Sequence, residues 1–200
     1  MQLGVDKLDV RLGLPADAPE TTCGSLVHSY FKREAGPLER AQLLLGEHSQ
    51  LPRPASQAAL NGVRYEKKVL ASLLKTFGNR VLPGPVFRFK AQDGFSGRAI
   101  PDALLFSPDF RSCCVVEVKL RHTGDAWHQL NRFYLPIVRK ALPWCRVCGL
   151  EITSSYDPFQ NLPQRVAFVE NVEGAFETRE AFPPVMILTA RDLRNDRGMV

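Results

Sequence analysis

The chain has 200 residues, 44% hydrophobic and 24% charged, which is enough for one domain with a substantial buried core and excludes a disordered chain. No low-complexity run or internal repeat is present, and no stretch reaches the ~20 apolar residues that span a bilayer. The net charge of +5 is unevenly placed: residues 1–56 carry a net −1, residues 57–146 a net +9 and residues 147–200 a net −3. A concentrated basic region suits a polyanionic partner, because cations that displace condensed counterions from phosphates gain affinity.

Residues 1–10 alternate apolar and charged side chains and lack the apolar core of a signal peptide. Five cysteines are an odd number, and Cys113 and Cys114 are adjacent in an apolar run, which is unlike a secreted disulfide framework. A cytoplasmic protein with reduced thiols is the expectation.

In chain order, residues 25–31 and 38–46 read as short helices broken by Gly36-Pro37, and Pro52 and Pro54 then interrupt the chain. Residues 1–56 are therefore expected to form an N-terminal helical arm or subdomain. Residues 57–77 read as a helix with Val63, Leu70, Leu73, Leu74 and Phe77 on one face and Gly78-Asn79 as the stop. Glu66 falls on that same face, where a carboxylate costs stability unless something specific pairs with it.

Strands are expected at 86–90, 98–106 and 112–120, with turns at Asp93-Gly94 and Ser107-Pro108-Asp109, the last two strands forming a hairpin. Asp125 can cap a helix running to about Lys140, with Ala126, Leu130, Phe133, Ile137 and Ala141 as its apolar face. Pro136 inside that span predicts a kink or an early end. A strand at 144–152, a loop at 154–163 and strands at 165–170 and 185–189 complete the chain. Helix, three strands, helix and strand make an α/β fold, a mixed central sheet flanked by helices, with its core at 57–153 and a C-terminal extension of further strands at 154–200.

Strand parity locates the chemistry. Ile100, Asp102, Leu104 and Phe106 share one face of their strand, and Cys113, Val115, Glu117 and Lys119 share one face of theirs. A hairpin pairing can bring Asp102 beside Glu117. Two acids and a lysine on otherwise apolar strands are costly unless a divalent cation sits between the acids. Hard ions such as Mg²⁺ prefer carboxylate oxygens and keep waters, and ions so bound can polarise a phosphate and activate water. A nearby ammonium stabilises the developing charge.

Ile100-Pro101-Asp102 followed by Val115-Val116-Glu117-Val118-Lys119 resembles the PD-(D/E)xK motif of the restriction-endonuclease-like nuclease superfamily. The resemblance covers roughly residues 57–153. It implies an α-β-β-β-α-β core and metal ligation by Asp102, Glu117 and the main-chain carbonyl of Val118, with Lys119 as the catalytic lysine. It also implies an acid from the first core helix, where Glu66 stands, and in several branches a glutamine after the lysine strand, where Gln129 stands. The RecB-like pattern places a tyrosine four residues after that glutamine; here Phe133 holds that place and Tyr134 follows. Mg²⁺ is the implied cofactor, with Mn²⁺ able to substitute, and DNA the implied partner.

Arg98, Arg121, His122 and Lys67 lie near the acids in sequence and are expected as phosphate-positioning contacts. Cys145-x-x-Cys148 looks like half a metal site, but three-residue spacing in a strand points the thiols to opposite faces, so neither an iron–sulfur cluster nor zinc is expected. The function expected is a metal-dependent deoxyribonuclease, endonuclease or exonuclease. The terminal segments are open to a protein partner or a second copy. Two other readings stay open: a non-catalytic nucleic-acid-binding protein on the same fold, and a metal-dependent RNase.

Overall fold

The computed structural model describes residues 36–46, 56–122, 124–155, 166–169, 171–177 and 185–189. The first element is a strand, β1 (Leu38–Leu44), where the local sequence suggested a helix. A seven-residue helix is marginal alone, whereas antiparallel pairing with β3 (Val86–Ala91) sets Leu43 against Phe87 and buries both. The segment 25–31, also expected to be helical, lies outside the described residues. β1 thus precedes the expected boundary at residue 56 yet pairs with a strand beyond it.

Ser56 starts helix α1 (Gln57–Phe77) by accepting a hydrogen bond from the Ala59 N–H at 3.2 Å, and Gly78 ends it with a positive φ of 56° that favours glycine. Its buried stripe is Val69, Leu73 and Phe77 at helical spacing; Leu74, expected on that face, is exposed. A short 3-10 turn (Gly78–Arg80) leads into β2 (Val81–Pro83), then β3.

The strand expected over 98–106 is two strands in two sheets. β4 (Ser96–Ala99) pairs with β3, and β5 (Ala103–Phe106) pairs with β6 (Ser112–Lys119). Pro101 has no N–H to give a ladder, so the chain changes sheet there and leaves Asp102 in the crossing.

The helix that follows runs from 124 to 141 without a break but changes pitch. It comprises α2 (Gly124–His128), a π-helical turn (Gln129–Tyr134) and α3 (Leu135–Ala141). The Leu135 N–H bonds to the Leu130 carbonyl, five residues back. Pro136 explains the widening: in a regular helix its ring would press on the carbonyl four residues earlier, and the extra residue relieves that contact. The buried face shifts accordingly, to Ala126, Leu130, Tyr134, Leu135, Ile137 and Val138, while Phe133 and Ala141 are only half-buried.

β7 (Arg146–Thr153), β8 (Val166–Phe168), the short α4 (Gly174–Glu177) and β9 (Val185–Thr189) complete the described chain. One sheet has the order β1-β3-β4, the other β2-β5-β6-β7-β9-β8. In the larger sheet β2, β5 and β6 are antiparallel neighbours, and β6, β7, β9 and β8 run parallel, so the sheet is mixed. The strands expected in the C-terminal extension therefore belong to the central sheet.

Side-chain alternation divides the core in two. On one face Ala103, Leu105, Cys114, Val116 and Val118 pack with Val69 and Leu73 of α1. On the other, Leu104, Phe106, Cys113 and Val115 pack with Leu130, Tyr134 and Ile137 of the second helix and with Phe87 and Phe89 of the small sheet. The structure is thus an α/β fold with helices on both faces of a mixed sheet. Cys145 joins Cys113 in one cluster and Cys148 joins Cys114 in the other, with the Cys114 and Cys148 sulfurs 3.2 Å apart, so the x-x-spaced pair does face opposite ways. No helix among the described residues is long and apolar enough to cross a membrane.

Candidate active site

The β5–β6 register places the acids. Ala103 is opposite Val116, and one further step sets Asp102 opposite Glu117. Asp102 lies just before β5, and its Oδ2 accepts a hydrogen bond from the Val118 N–H at 2.6 Å, which fixes the carboxylate against the end of β6. Glu117 and Lys119 project to one side of β6. The Lys119 Nζ donates to Glu117 Oε1 at 2.5 Å. Glu117 is 3% exposed, and its other oxygen, Oε2, is buried with no hydrogen-bond partner.

The π-helical turn closes the site. Gln129 Oε1 accepts from Lys119 Nζ at 3.4 Å, and its Nε2 donates to the Tyr134 hydroxyl at 2.7 Å. That hydroxyl donates in turn to the Ile100 carbonyl at 3.0 Å, two residues before Asp102. A chain of contacts therefore runs from Glu117 through Lys119, Gln129 and Tyr134 back to the segment carrying Asp102. In a regular helix residues five apart diverge; the i→i+5 bonding of the wide turn is what brings Gln129 and Tyr134 to one face.

Electrostatics bind the acids into one group. Burial, then the charges of Glu117 and Glu66, push the Asp102 carboxyl well above the usual carboxylate range. Burial raises Glu117 as well, opposed by Lys119 and reinforced by Glu66. Glu66, half-buried on α1, is raised by burial and held down by Lys119 and Lys67. Burial works against the charged form of Lys119, but Glu117, Asp102 and Glu151 outweigh it and raise the ammonium. The structure thus brings Asp102, Glu117, Lys119, Gln129 and Glu66 into one electrostatic neighbourhood.

The expected phosphate contacts separate. Lys67 on α1, Arg98 on β4 and Arg121 after β6 are exposed. His122 is not: it is 2% exposed, and its Nδ1 lies 2.7 Å from Oε2 of the fully buried Glu151. The expectation of a phosphate contact at His122 is corrected, because the chain after β6 turns the ring inward against Glu151 of the neighbouring strand β7.

Sequence reasoning missed two residues. Glu151 is the direct neighbour of Glu117 across the parallel β6–β7 pairing, and its Oε1 is also buried without a partner. Its signal was an acid inside the apolar run of β7. Tyr134 was one position off the expected spacing, and Pro136 was the sign that the helix there could not keep its regular pitch.

Two carboxylates and a main-chain carbonyl are hard oxygen donors, and the orphaned Glu117 oxygen is a lone pair in want of a cation, so Asp102, Glu117 and Val118 fit a divalent ion in their chemistry. Among the described residues no three His, Cys, Asp or Glu side chains converge into a ready-made metal group. The chain matches no protein-family model, no curated protein and no solved structure.

Proposed function

We propose that the chain is a divalent-metal-dependent nuclease that hydrolyses phosphodiester bonds of DNA, with a site of the PD-(D/E)xK kind. One observation carries this reading: Asp102 and Glu117 sit buried at the end of one strand pair, Glu117 and Glu66 raise the proton affinity of Asp102, and Glu66 raises that of Glu117, all beside a lysine that is held protonated. Such repulsion between buried carboxylates is costly and is relieved by a cation. The wide helical turn supports the same reading, since it supplies Tyr134 where the spacing alone offered Phe133.

Asp102, Glu117 and the Val118 carbonyl would hold the metal, with Glu66 at its edge. Bound there, a divalent ion supplies Lewis-acid polarisation of the phosphate and a more acidic water. Lys119 presents a full positive charge toward the phosphate oxygens or the nucleophile. Gln129 limits its swing, and Tyr134 fixes the Ile100 carbonyl and hence the approach of Asp102. Exposed Lys67, Arg98 and Arg121 position the backbone without reading sequence.

The test is cleavage of linear duplex, circular, single-stranded and branched DNA, and of RNA, in Mg²⁺, in Mn²⁺ and in EDTA. Metal-dependent cutting of DNA is expected, abolished in Glu117→Ala. In Lys119→Met it should fall roughly 10²–10³-fold while Mn²⁺ still binds by calorimetry. Cutting confined to RNA would move the protein to the RNase reading. Nucleic-acid binding with neither metal uptake nor cutting would establish the non-catalytic binding protein instead.

A further inference from the structure

Asp102, Glu117 and Glu151 form a row across three neighbouring strands. Asp102 stands one step beyond the Ala103–Val116 pair and so opposite Glu117, and Glu117 is opposite Glu151 in the parallel β6–β7 register. Residues opposite one another on paired strands point to the same side of the sheet, and such strands lie about 4.8 Å apart. The row therefore has two gaps. The first, between Asp102 and Glu117, is the metal position proposed above. The second lies between Glu117 and Glu151.

The acids flanking the second gap are 3% and 0% exposed. Each has one oxygen engaged: Lys119 Nζ donates to Glu117 Oε1 at 2.5 Å, and His122 Nδ1 lies 2.7 Å from Glu151 Oε2. Each leaves its other oxygen, Glu117 Oε2 and Glu151 Oε1, buried with no hydrogen-bond partner. Buried polar atoms are nearly always partnered, so two orphaned carboxylate oxygens on adjoining strand positions mark a place that takes positive charge. Lys119 is already shared between Glu117 and Gln129.

Charge decides what that place takes. Glu66, Asp102, Glu117 and Glu151 all interact with the single Lys119. Counting the imidazole as neutral, one divalent ion leaves these groups net negative, which repels a phosphodiester; a second ion reverses the sign. A water bridging the two oxygens would leave the charge unchanged. Mg²⁺ and Mn²⁺ need little from the protein: such ions keep several waters and are held by one or two carboxylates, so no convergence of three side chains is required. A carboxylate has about four lone-pair sites, enough for Glu117 to serve both gaps.

We infer that the gap between Glu117 and Glu151 is a second divalent-cation site, with Glu117 shared between the two ions and His122 fixing Glu151 from its far oxygen. This rests on the metal-dependent reading above and deepens it, adding Glu151 as a ligand and His122 as a positioning residue. Paired ions of this kind stabilise both the attacking and the leaving oxygen of a phosphodiester displacement.

The experiment counts Mn²⁺ on the whole chain with no nucleic acid present, by electron spin resonance during a titration. Two ions sharing a carboxylate at about the strand spacing give a spin-coupled signal, unlike distant ions. Wild type is expected to bind two Mn²⁺ with that coupled signal. Glu151→Gln, checked for folding by circular dichroism, should bind one, uncoupled. His122→Asn should weaken the second ion roughly 10–100-fold and leave the first in place. The wild-type count and the His122 variant decide the matter even if Glu151→Gln does not fold. A single ion or none in wild type, as a shared proton or a bridging water would give, would overturn the proposal. So would two uncoupled ions, or a coupled pair that survives in Glu151→Gln. The two readings fail separately: metal-dependent cutting with one ion bound removes the second site alone, and a coupled pair without cutting of any nucleic acid removes the nuclease alone.

Discussion

Asp102 is placed where a lone carboxylate is least stable, buried and beside two further acids, with the Val118 N–H as its compensating contact. Because its folded-state pKa is raised above the unfolded value, the native state holds its proton longer than the unfolded chain does. The metal-free protein therefore loses stability as pH rises from the ordinary carboxylate range through the folded value, and Glu117 and Glu66 act in the same direction. Asp102→Asn keeps an acceptor for Val118 and removes the charge. It should raise the metal-free melting temperature near neutral pH by roughly 2–4 °C, flatten that pH dependence and abolish metal-dependent cutting. Melting curves at several pH values in EDTA check it; an unchanged or lower midpoint would contradict the repulsion. At this scale much was legible: strand parity alone put Glu117 beside Lys119, and Glu66 stood out as an acid in an apolar stripe. Glu151 and His122 were not, because their meeting depends on the parallel register between β6 and β7, a long-range choice that neither strand encodes by itself.

The helix from 124 to 141 is the element that joins site to core. Its first half presents Gln129 to Lys119, and its second half packs Leu135, Ile137 and Val138 under the sheet. Tyr134 lies at the joint and bonds to both Gln129 and the Ile100 carbonyl. Tyr134→Phe leaves those two groups without that partner, at a cost of about 1–2 kcal/mol. The midpoint of thermal unfolding should fall by roughly 2–8 °C, and cleavage should drop in kcat more than in KM, since Lys119 and Asp102 lose their common support. A variant with wild-type kcat would remove Tyr134 from the positioning chain. Sequence periodicity found this helix and α1 nearly to the residue, because each buries one stripe. It misread 98–106 as one strand because the apolar pattern continues through Pro101, although the ladder cannot. It misread 38–46 because a short apolar stretch fits either period until its partner is known.

For the molecule as a whole, the decisive pairing is β1 with β3. It carries β1 into the layer that covers Phe106, Val115 and Tyr134, so a cut at residue 56 would expose the Phe87 and Phe89 strand along an unpaired edge. A fragment beginning at residue 57 should melt at least roughly 5 °C below one beginning at residue 36 and should self-associate on gel filtration. Equal melting and a monomeric elution would show that β1 is dispensable. The class of fold was readable from the alternation of helical and strand periods. Strand order was not, since the mixed sheet and the separate small sheet follow from which edges meet.

The wide turn at Gln129–Tyr134 also takes up one residue more than a regular turn would. Excising one residue inside it would let the helix wind regularly: four steps of about 100° sweep nearly the angle that the wide turn sweeps in five, so the glutamine and tyrosine would still share a face and the second half would keep its face to the core. The ring of Pro136 would then press on the carbonyl four residues before it, and the shortened helix should kink or fray where the present one runs on. The extra residue is thus what lets a proline sit inside an unbroken helix.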